Sequence, residues 1–185
     1  MLPLRGGVLL APWAPPGRVA WEYRAVTTGA QPRQGRETAG VVAPPPVIYL
    51  LFLGLGFGLE ALMPDNDLPA WLQWLGAALI VAGLALGISF ERALARARTP
   101  ANPYKPSTSL ATTGPYRFTR NPAYLSMTIV FVGIALAADA PWTLVMLVAA
   151  TLGIQLGVIA REERYLEGLF GDQYLTYKQR TRRWI

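Results

Sequence analysis

The chain has 185 residues, of which 52% are hydrophobic and only 15% charged, and its formal net charge is +6. An average soluble domain carries about 25% charged residues, so the composition favours one membrane-embedded domain over a soluble protein. Cysteine and histidine are absent. This excludes disulfides, thiol nucleophiles, the usual zinc ligands and imidazole general bases, and no metal site is predicted.

The chain opens with 40 residues that are rich in glycine, proline and arginine and show no periodic pattern. We expect residues 1–43 to form a disordered tail and residues 44–185 to form a single membrane domain. Three prolines, Pro44 to Pro46, precede the first apolar run, as expected at a helix start.

Four apolar runs follow the tail, and only the first contains a charged residue, Glu60. A helix needs about 17–25 apolar residues to cross a bilayer, a length that the second and fourth runs meet easily. The sequence therefore predicts an all-α integral membrane bundle of four transmembrane helices. Their predicted positions are near 46–63, 68–95, 122–138 and 141–165.

Small residues in the first run indicate where a neighbouring helix could approach. Gly54, Gly56 and Gly58 alternate with large apolar residues. Glycines of this kind permit close contact between membrane helices.

The 17 basic residues predict the topology, because lysine and arginine near membrane spans stay on the cytoplasmic side. Five precede the first run, six lie within 91–122 and six follow residue 160, whereas 64–70 and 139–140 contain none. Both termini and the middle loop are therefore predicted to be cytoplasmic. The basic flanks suit anionic lipid headgroups better than nucleic acid, because no separate basic domain is present.

One polar cluster lies in the loop 102–124, before the third run. Tyr116 and Tyr124 could flank a planar group, and Arg117 and Arg120 could bind a carboxylate or phosphate. An aromatic belt with snorkelling arginines would explain the same residues without a binding site.

A second polar cluster follows the fourth run. On a regular helix Gln155 and Glu162 share a face, which suggests a polar pocket inside the bundle. Glu163 points about 100° away, towards water or a basic side chain. Alternatively, both glutamates pair with Arg161 and Arg164 of the same helix at the membrane surface.

Helix boundaries are marked by a few residues on either side of these clusters. Asn121 and Pro122 suit the N-cap and first position of the third helix. Gly171 suits a helix stop and Asp172 the N-cap of a short surface helix. Trp184 would then anchor the end of the chain at the membrane interface.

The two clusters carry a family resemblance. The pattern T-x-G-P-Y-R-x-x-R-N-P-x-Y-L precedes a membrane hairpin and then E-E-x-Y-L-x-x-x-F-G-x-x-Y-x-x-Y-K. With the N-P-x-x-P of Asn102–Pro106, it resembles the isoprenylcysteine carboxyl methyltransferase family and the related phospholipid N-methyltransferases over residues 44–185. The best-known members have Arg-His-Pro at the position of Arg120-Asn121-Pro122. Bacterial-type relatives have Arg-Asn-Pro, as this chain does.

The resemblance implies an S-adenosylmethionine site in the cytoplasmic leaflet, a lipid-like methyl acceptor, and a multi-pass protein of the bacterial inner membrane. It implies catalytic roles for Arg120 and Glu162. A methylsulfonium is already activated, and its displacement needs alignment more than an acid or base, which fits a chain without histidine or cysteine. The implied cofactor contacts are Ser109, Leu110, Ala111, Tyr116, Asn121, Pro122, Tyr124, Glu162 and Glu163.

A function of another class accounts for the same composition. A non-catalytic four-helix membrane protein could bind anionic lipid or a protein partner through its basic cytoplasmic face. Binding of S-adenosylmethionine separates the two functions.

Overall fold

The computed structural model describes residues 38–63, 68–102 and 104–185. No strand occurs in these ranges, and an isolated parallel bridge joins Thr119 to Arg182. The predicted all-α class is confirmed. The helical elements are α1 (Pro45–Leu62), α2 (Ala70–Ala97), a 3₁₀ helix (Gly114–Arg117), α3 (Pro122–Ala137), α4 (Pro141–Ile154), a π-helical turn (Gln155–Ile159), α5 (Ala160–Phe170) and α6 (Asp172–Arg180).

Three helical segments are long and apolar enough to cross a membrane: α1, α2 and the continuous stretch Pro141–Phe170. The fourth, α3, is a shorter apolar helix of 16 residues. Their ends lie within a few residues of the predicted spans, except that the last helix continues to Phe170. Large apolar side chains point outwards along them, as membrane lipid requires; Trp74 on α2 is 80% exposed.

Glycines allow the backbones of α2 and α3 to come into direct contact. A Cβ atom added to Gly76 would lie 2.5 Å from the Ala137 nitrogen, and one added to Gly133 would lie 2.8 Å from the Gly76 oxygen. Seven residues along α2, a Cβ on Gly83 would lie 3.0 Å from the Ser126 oxygen. None of these three glycines is among those predicted from the sequence to mediate helix contact.

The glycines predicted to mediate contact in α1 behave differently from one another. A Cβ on Gly56 would lie 2.5 Å from the Thr143 Cα of α4, so this position does admit a close neighbour. Gly54 and Gly58 have nothing within 4 Å, and for them the prediction is wrong. They lie on the side of α1 that faces away from α4.

Both short inter-helix turns meet at one end of the bundle. The Leu68 amide donates to Asp139 Oδ1 (2.7 Å), and the Trp142 amide donates to Glu60 Oε2 (3.1 Å). The Trp142 indole donates to the Met63 carbonyl (2.9 Å). Residues 64–67, part of the segment 64–70 that contains no basic residue, lie outside the described residues.

The segment before α1 packs against the opposite half of α4 and its extension. Ala39 and Val41 are buried. The Gly40 carbonyl accepts a hydrogen bond from Arg161 Nη1 (3.0 Å), and the Val42 amide donates to the Gly157 carbonyl (3.4 Å). The rest of the predicted tail 1–43, residues 1–37, lies outside the described residues.

The end of the chain turns at Gly171, as predicted. Its φ of 51° lies in the left-handed region that favours glycine. Asp172 is the first residue of α6 and Gly171 holds the N-cap position, so the predicted N-cap is wrong by one residue. Tyr174 and Tyr177 of α6 are buried.

Candidate active site

The π turn at Gln155–Ile159 determines which glutamate faces which way. A π turn has one residue more than an α turn, which rotates everything after it by about 100°. Glu163 thereby takes the direction that a regular helix gives Glu162, so the prediction that Gln155 and Glu162 share a face is wrong. The contacts agree, because Gln155 and Glu163 bind adjacent residues of the C-terminal segment, Trp184 and Arg183.

Glu163 is the centre of a buried ion-pair network. Its side chain accepts hydrogen bonds from Arg120 Nε (3.2 Å) and Nη2 (3.0 Å), and from Arg183 Nε (3.1 Å) and Nη2 (2.5 Å). Only 5% of the residue is exposed. The hydrogen bond to Glu163 raises the pKa of Arg183. Glu163 was predicted to meet water or a basic side chain. Its contacts with two arginines confirm the basic side chain, and its burial shows that the expectation of water is wrong.

The alternative pairing within α5 is wrong. Arg161 donates to the Gly40 carbonyl, and Arg164 Nε donates to the Ala160 carbonyl (3.0 Å). Neither is within ion-pair distance of a glutamate in the described part of the chain.

Arg120 is held on several sides at once. Besides its two bonds to Glu163, its Nη1 donates to the carbonyls of Lys178 (3.0 Å) and Thr181 (2.6 Å). Four of its five N–H donors are therefore used within the chain. The ion pair with Glu163 joins the loop 102–124 to the extension of the fourth span.

The C-terminal segment 181–184 secures the start of α3. Asn121 Nδ2 and Thr119 Oγ1 both donate to the Arg183 carbonyl, at 2.9 and 3.0 Å. Asn121 holds the predicted N-cap position, but its side chain makes no capping bond. The Trp184 indole donates to Gln155 Oε1 (2.9 Å); its role as an interfacial anchor stays a prediction.

A cleft of about 140 Å³ opens between the loop, the start of α3 and α5. Every residue that the family resemblance implied lines it, whereas Arg117 and Gln155, singled out from the two polar clusters, do not. The implied residues are Ser109, Leu110, Ala111, Tyr116, Arg120, Asn121, Pro122, Tyr124, Glu162 and Glu163.

Other lining residues were not singled out as site residues, although patterns in the sequence could have indicated them. Phe90 and Leu94 are four residues apart, the spacing of one helix face. Asn102 and Lys105 belong to the N-P-x-x-P motif, and the three tyrosines of the set belong to the second motif. The full set includes Phe90, Leu94, Asn102, Lys105, Tyr165, Tyr174 and Tyr177.

The cleft is closed on its aromatic side by the 3₁₀ helix and α2. The ring centroids of Tyr116 and Phe90 are 6.3 Å apart. The Tyr116 carbonyl accepts a hydrogen bond from the Tyr177 hydroxyl (2.7 Å). Burial, with smaller effects from nearby Tyr177 and Glu162, raises the pKa of Tyr116, so its hydroxyl stays protonated.

The segment between α2 and the 3₁₀ helix is fastened to the end of α2 and to α5. The Ser109 hydroxyl donates to the Ala97 carbonyl, and the Thr108 hydroxyl donates to the Arg98 carbonyl (2.7 Å). The Ser107 amide donates to the Tyr165 hydroxyl of α5 (3.1 Å). These bonds hold Leu110 and Ala111 against the cleft.

Glu162 differs from its neighbour in having no cation. Its carboxylate accepts a hydrogen bond from the Tyr124 hydroxyl at the start of α3, and no described basic side chain forms an ion pair with it. The charged residues that line the cleft are Lys105, Arg120, Glu162 and Glu163. Since Arg120 and Glu163 compensate each other, Glu162 and Lys105 are the lining charges that have no ion-pair partner among the described residues.

Comparison with known proteins gives one family. The sequence pattern of the family described as "Phospholipid methyltransferase" matches residues 71–173, from the start of α2 to the start of α6. An uncharacterized protein of Haemophilus influenzae is 67% identical over 27 residues, which cover 15% of this chain and 43% of that protein. The match therefore spans less than half of this curated relative. No solved structure matches the chain.

Proposed function

Because the chain belongs to the phospholipid methyltransferase family, we propose that it transfers a methyl group from S-adenosylmethionine to a lipid-like acceptor. The family match confirms the resemblance seen in the two sequence motifs. The membrane-length helices support an integral membrane protein. The acceptor would present a carboxylate, an amine or a thiol, and the protein would lie in a bacterial inner membrane.

One observation carries the proposal: Glu162 lines an aromatic cleft without a cation partner among the described residues. A carboxylate partly withdrawn from water needs a compensating charge. S-adenosylmethionine offers two cationic centres, its sulfonium and its ammonium. The chemistry of the site therefore fits this cofactor.

The start of α3 suits the other charge of the cofactor's amino-acid end. Asn121 makes no capping bond, so the amides of Ala123 and Tyr124 lie in the first turn of α3 without a side-chain acceptor. Such amides favour a carboxylate. The carboxylate and ammonium of an amino acid share one carbon, so their partners must be adjacent, as Tyr124 and Glu162 are.

The bound cofactor supplies a methyl group already activated on a sulfonium. The chain's own residues then have to bind, orient and exclude water. Glu162 and Tyr124 bind, and Tyr116 closes the aromatic side. For Arg120, whose donors are mostly used within the chain, we propose a positioning role through Glu163 in place of direct contact with the methyl group.

Glu162→Gln should weaken S-adenosylmethionine binding by about 1–3 kcal/mol, because it removes a charge-assisted contact. Isothermal titration of purified protein in detergent measures the loss. Glu167→Gln is the control, since Glu167 lies on the same helix and pairs with Lys178 away from Glu162. Equal losses in the two variants would contradict the assignment, and no binding by the unchanged protein would favour the non-catalytic alternative.

The basic residues lead us to propose cytoplasmic termini and a cytoplasmic cleft. The turn residues that meet through Leu68, Asp139 and Trp142 lie at one end of the bundle, so both turns should face the other side of the membrane. Reporter fusions at residues 66 and 140 should both give an extracytoplasmic signal. A cytoplasmic signal at either position would contradict this topology.

A further inference from the structure

The segment 39–42, which precedes α1, contacts the π turn and the helix that follows it. The Val42 amide donates to the Gly157 carbonyl within the turn (3.4 Å). Two residues beyond the turn, Arg161 Nη1 donates to the Gly40 carbonyl (3.0 Å). In a regular α-helix each carbonyl accepts the amide four residues further on, so a regular turn would not require a donor from another segment at Gly157.

The bond between Arg161 and Gly40 depends on the direction that the π turn gives to α5. A regular helix of the same residues would rotate everything after the turn by about 100°. Arg161 would then point away from Gly40, and Glu162 would leave the cleft with it. Contacts that one of two conformations makes and the other loses favour the first, so these bonds favour the π turn.

The segment 39–42 is built into the core of the protein. Ala39 and Val41 are 4% and 8% exposed, and they belong to the apolar cluster that contains Val158 and Ile159 of the π turn. Ala39 also lines the cleft. The segment precedes residues 71–173, which match the family pattern, so that pattern does not describe this contact.

We propose that the segment 39–42 positions the active site, because it holds the π turn and the turn keeps Glu162 facing the cleft. Arg161 and the Val42 amide are the positioning groups, and neither residue lines the cleft. This role rests on the proposed function for the identity of the cofactor alone, since the directions of the glutamates can be measured without it.

The first test uses the full-length protein in detergent, titrated with S-adenosylmethionine. Val42→Pro removes the amide donor, and Arg161→Met removes the guanidinium. The double variant should bind S-adenosylmethionine about tenfold or more weakly, the scale of one charged hydrogen bond. Charge alone predicts the opposite sign, because removing a cation next to Glu162 favours a cationic cofactor. Arg161→Met by itself should give a smaller loss in the same direction.

Thermal unfolding without cofactor measures the directions of the two glutamates. In the unchanged protein, Glu163→Gln should melt about 5 °C or more below Glu162→Gln, because Glu163 pairs with the buried arginines. In the background of the double variant this order should reverse, because Glu162 would then face the arginines. An order that stays the same would overturn the positioning role.

Deletion of Gly157 separates positioning from a general loss of structure. It allows a regular helix that keeps both glutamates in their present directions. Added to the double variant, the deletion should therefore restore the S-adenosylmethionine affinity to within about threefold of the unchanged protein. Arg164→Met is the control, because Arg164 donates to the Ala160 carbonyl of its own helix, and it should bind as the unchanged protein does.

Two further results would overturn the positioning role. They are unchanged S-adenosylmethionine binding in the double variant and a loss that deletion of Gly157 does not restore. If the double variant does not fold, the melting comparison in Arg161→Met decides: the gap between the two glutamate variants should narrow, and an unchanged gap would overturn the role. Failure of the unchanged protein to bind S-adenosylmethionine would count against the proposed function alone, because the melting experiments contain no cofactor.

Discussion

Glu163→Gln should lower the free energy of unfolding by about 3–5 kcal/mol, because it leaves two arginines in a buried network without their carboxylate. Arg120 is 9% exposed in its side chain and Arg183 36%, so most of the cost comes from Arg120. The network also joins α5 to the start of α3, and its loss should loosen both. Thermal unfolding in detergent, followed by circular dichroism, measures the change.

Glu167→Gln is the matched comparison on the same helix. Glu167 also pairs with a basic residue, Lys178, but both side chains are about one third exposed. Exposed pairs contribute about 0–1 kcal/mol. Similar melting temperatures for the two variants would show that the Glu163 network does not hold the site together.

Gly133→Ala should cost about 3 kcal/mol, at the upper end for overpacking. The added methyl would lie 2.8 Å from the Gly76 carbonyl oxygen and 2.8 Å from the Ile80 nitrogen. Because these are backbone atoms, no side chain can rotate away and the helices must separate. Unfolding in detergent measures the loss.

Gly58→Ala provides the opposite expectation within the same bundle. Nothing lies within 4 Å of the added methyl, and alanine favours a helix over glycine by about 0.5–1 kcal/mol. This variant should be neutral or slightly more stable. If both substitutions destabilise equally, the close approach of α2 and α3 is not what Gly133 provides.

The helices and the lining of the cleft could be predicted, for different reasons. The length of an apolar run sets where a membrane helix lies, and this is visible without any partner. The cleft residues came from two motifs whose order and spacing indicated one family. Which glycines touch another helix depends on the neighbour each face meets, so Gly133 and Gly58 look alike in sequence although only Gly133 is in close contact.

The directions of the two glutamates could not be predicted, because a helical wheel assumes a uniform turn. The π turn at Gln155–Ile159 breaks that assumption in an apolar stretch with no proline. The C-terminal segment adds a second obstacle. Arg183 lies 20 residues from Glu163, and nothing in its composition distinguishes it from the neighbouring Arg182.

The π turn also limits how this protein can change over evolution. The present directions of Glu162 and Glu163 require the helix to accommodate one extra residue between its apolar part and its polar end. If the same residues formed a regular helix, the following segment would turn by about 100°. Glu162 would then face the arginines, and the cleft would lose its unpaired carboxylate. Loss of a single codon within Gln155–Ile159 would instead allow a regular helix that keeps both glutamates in their present directions. Between related genes, deletion of one residue here should therefore be tolerated, whereas a substitution that removes the π turn at the same length should not.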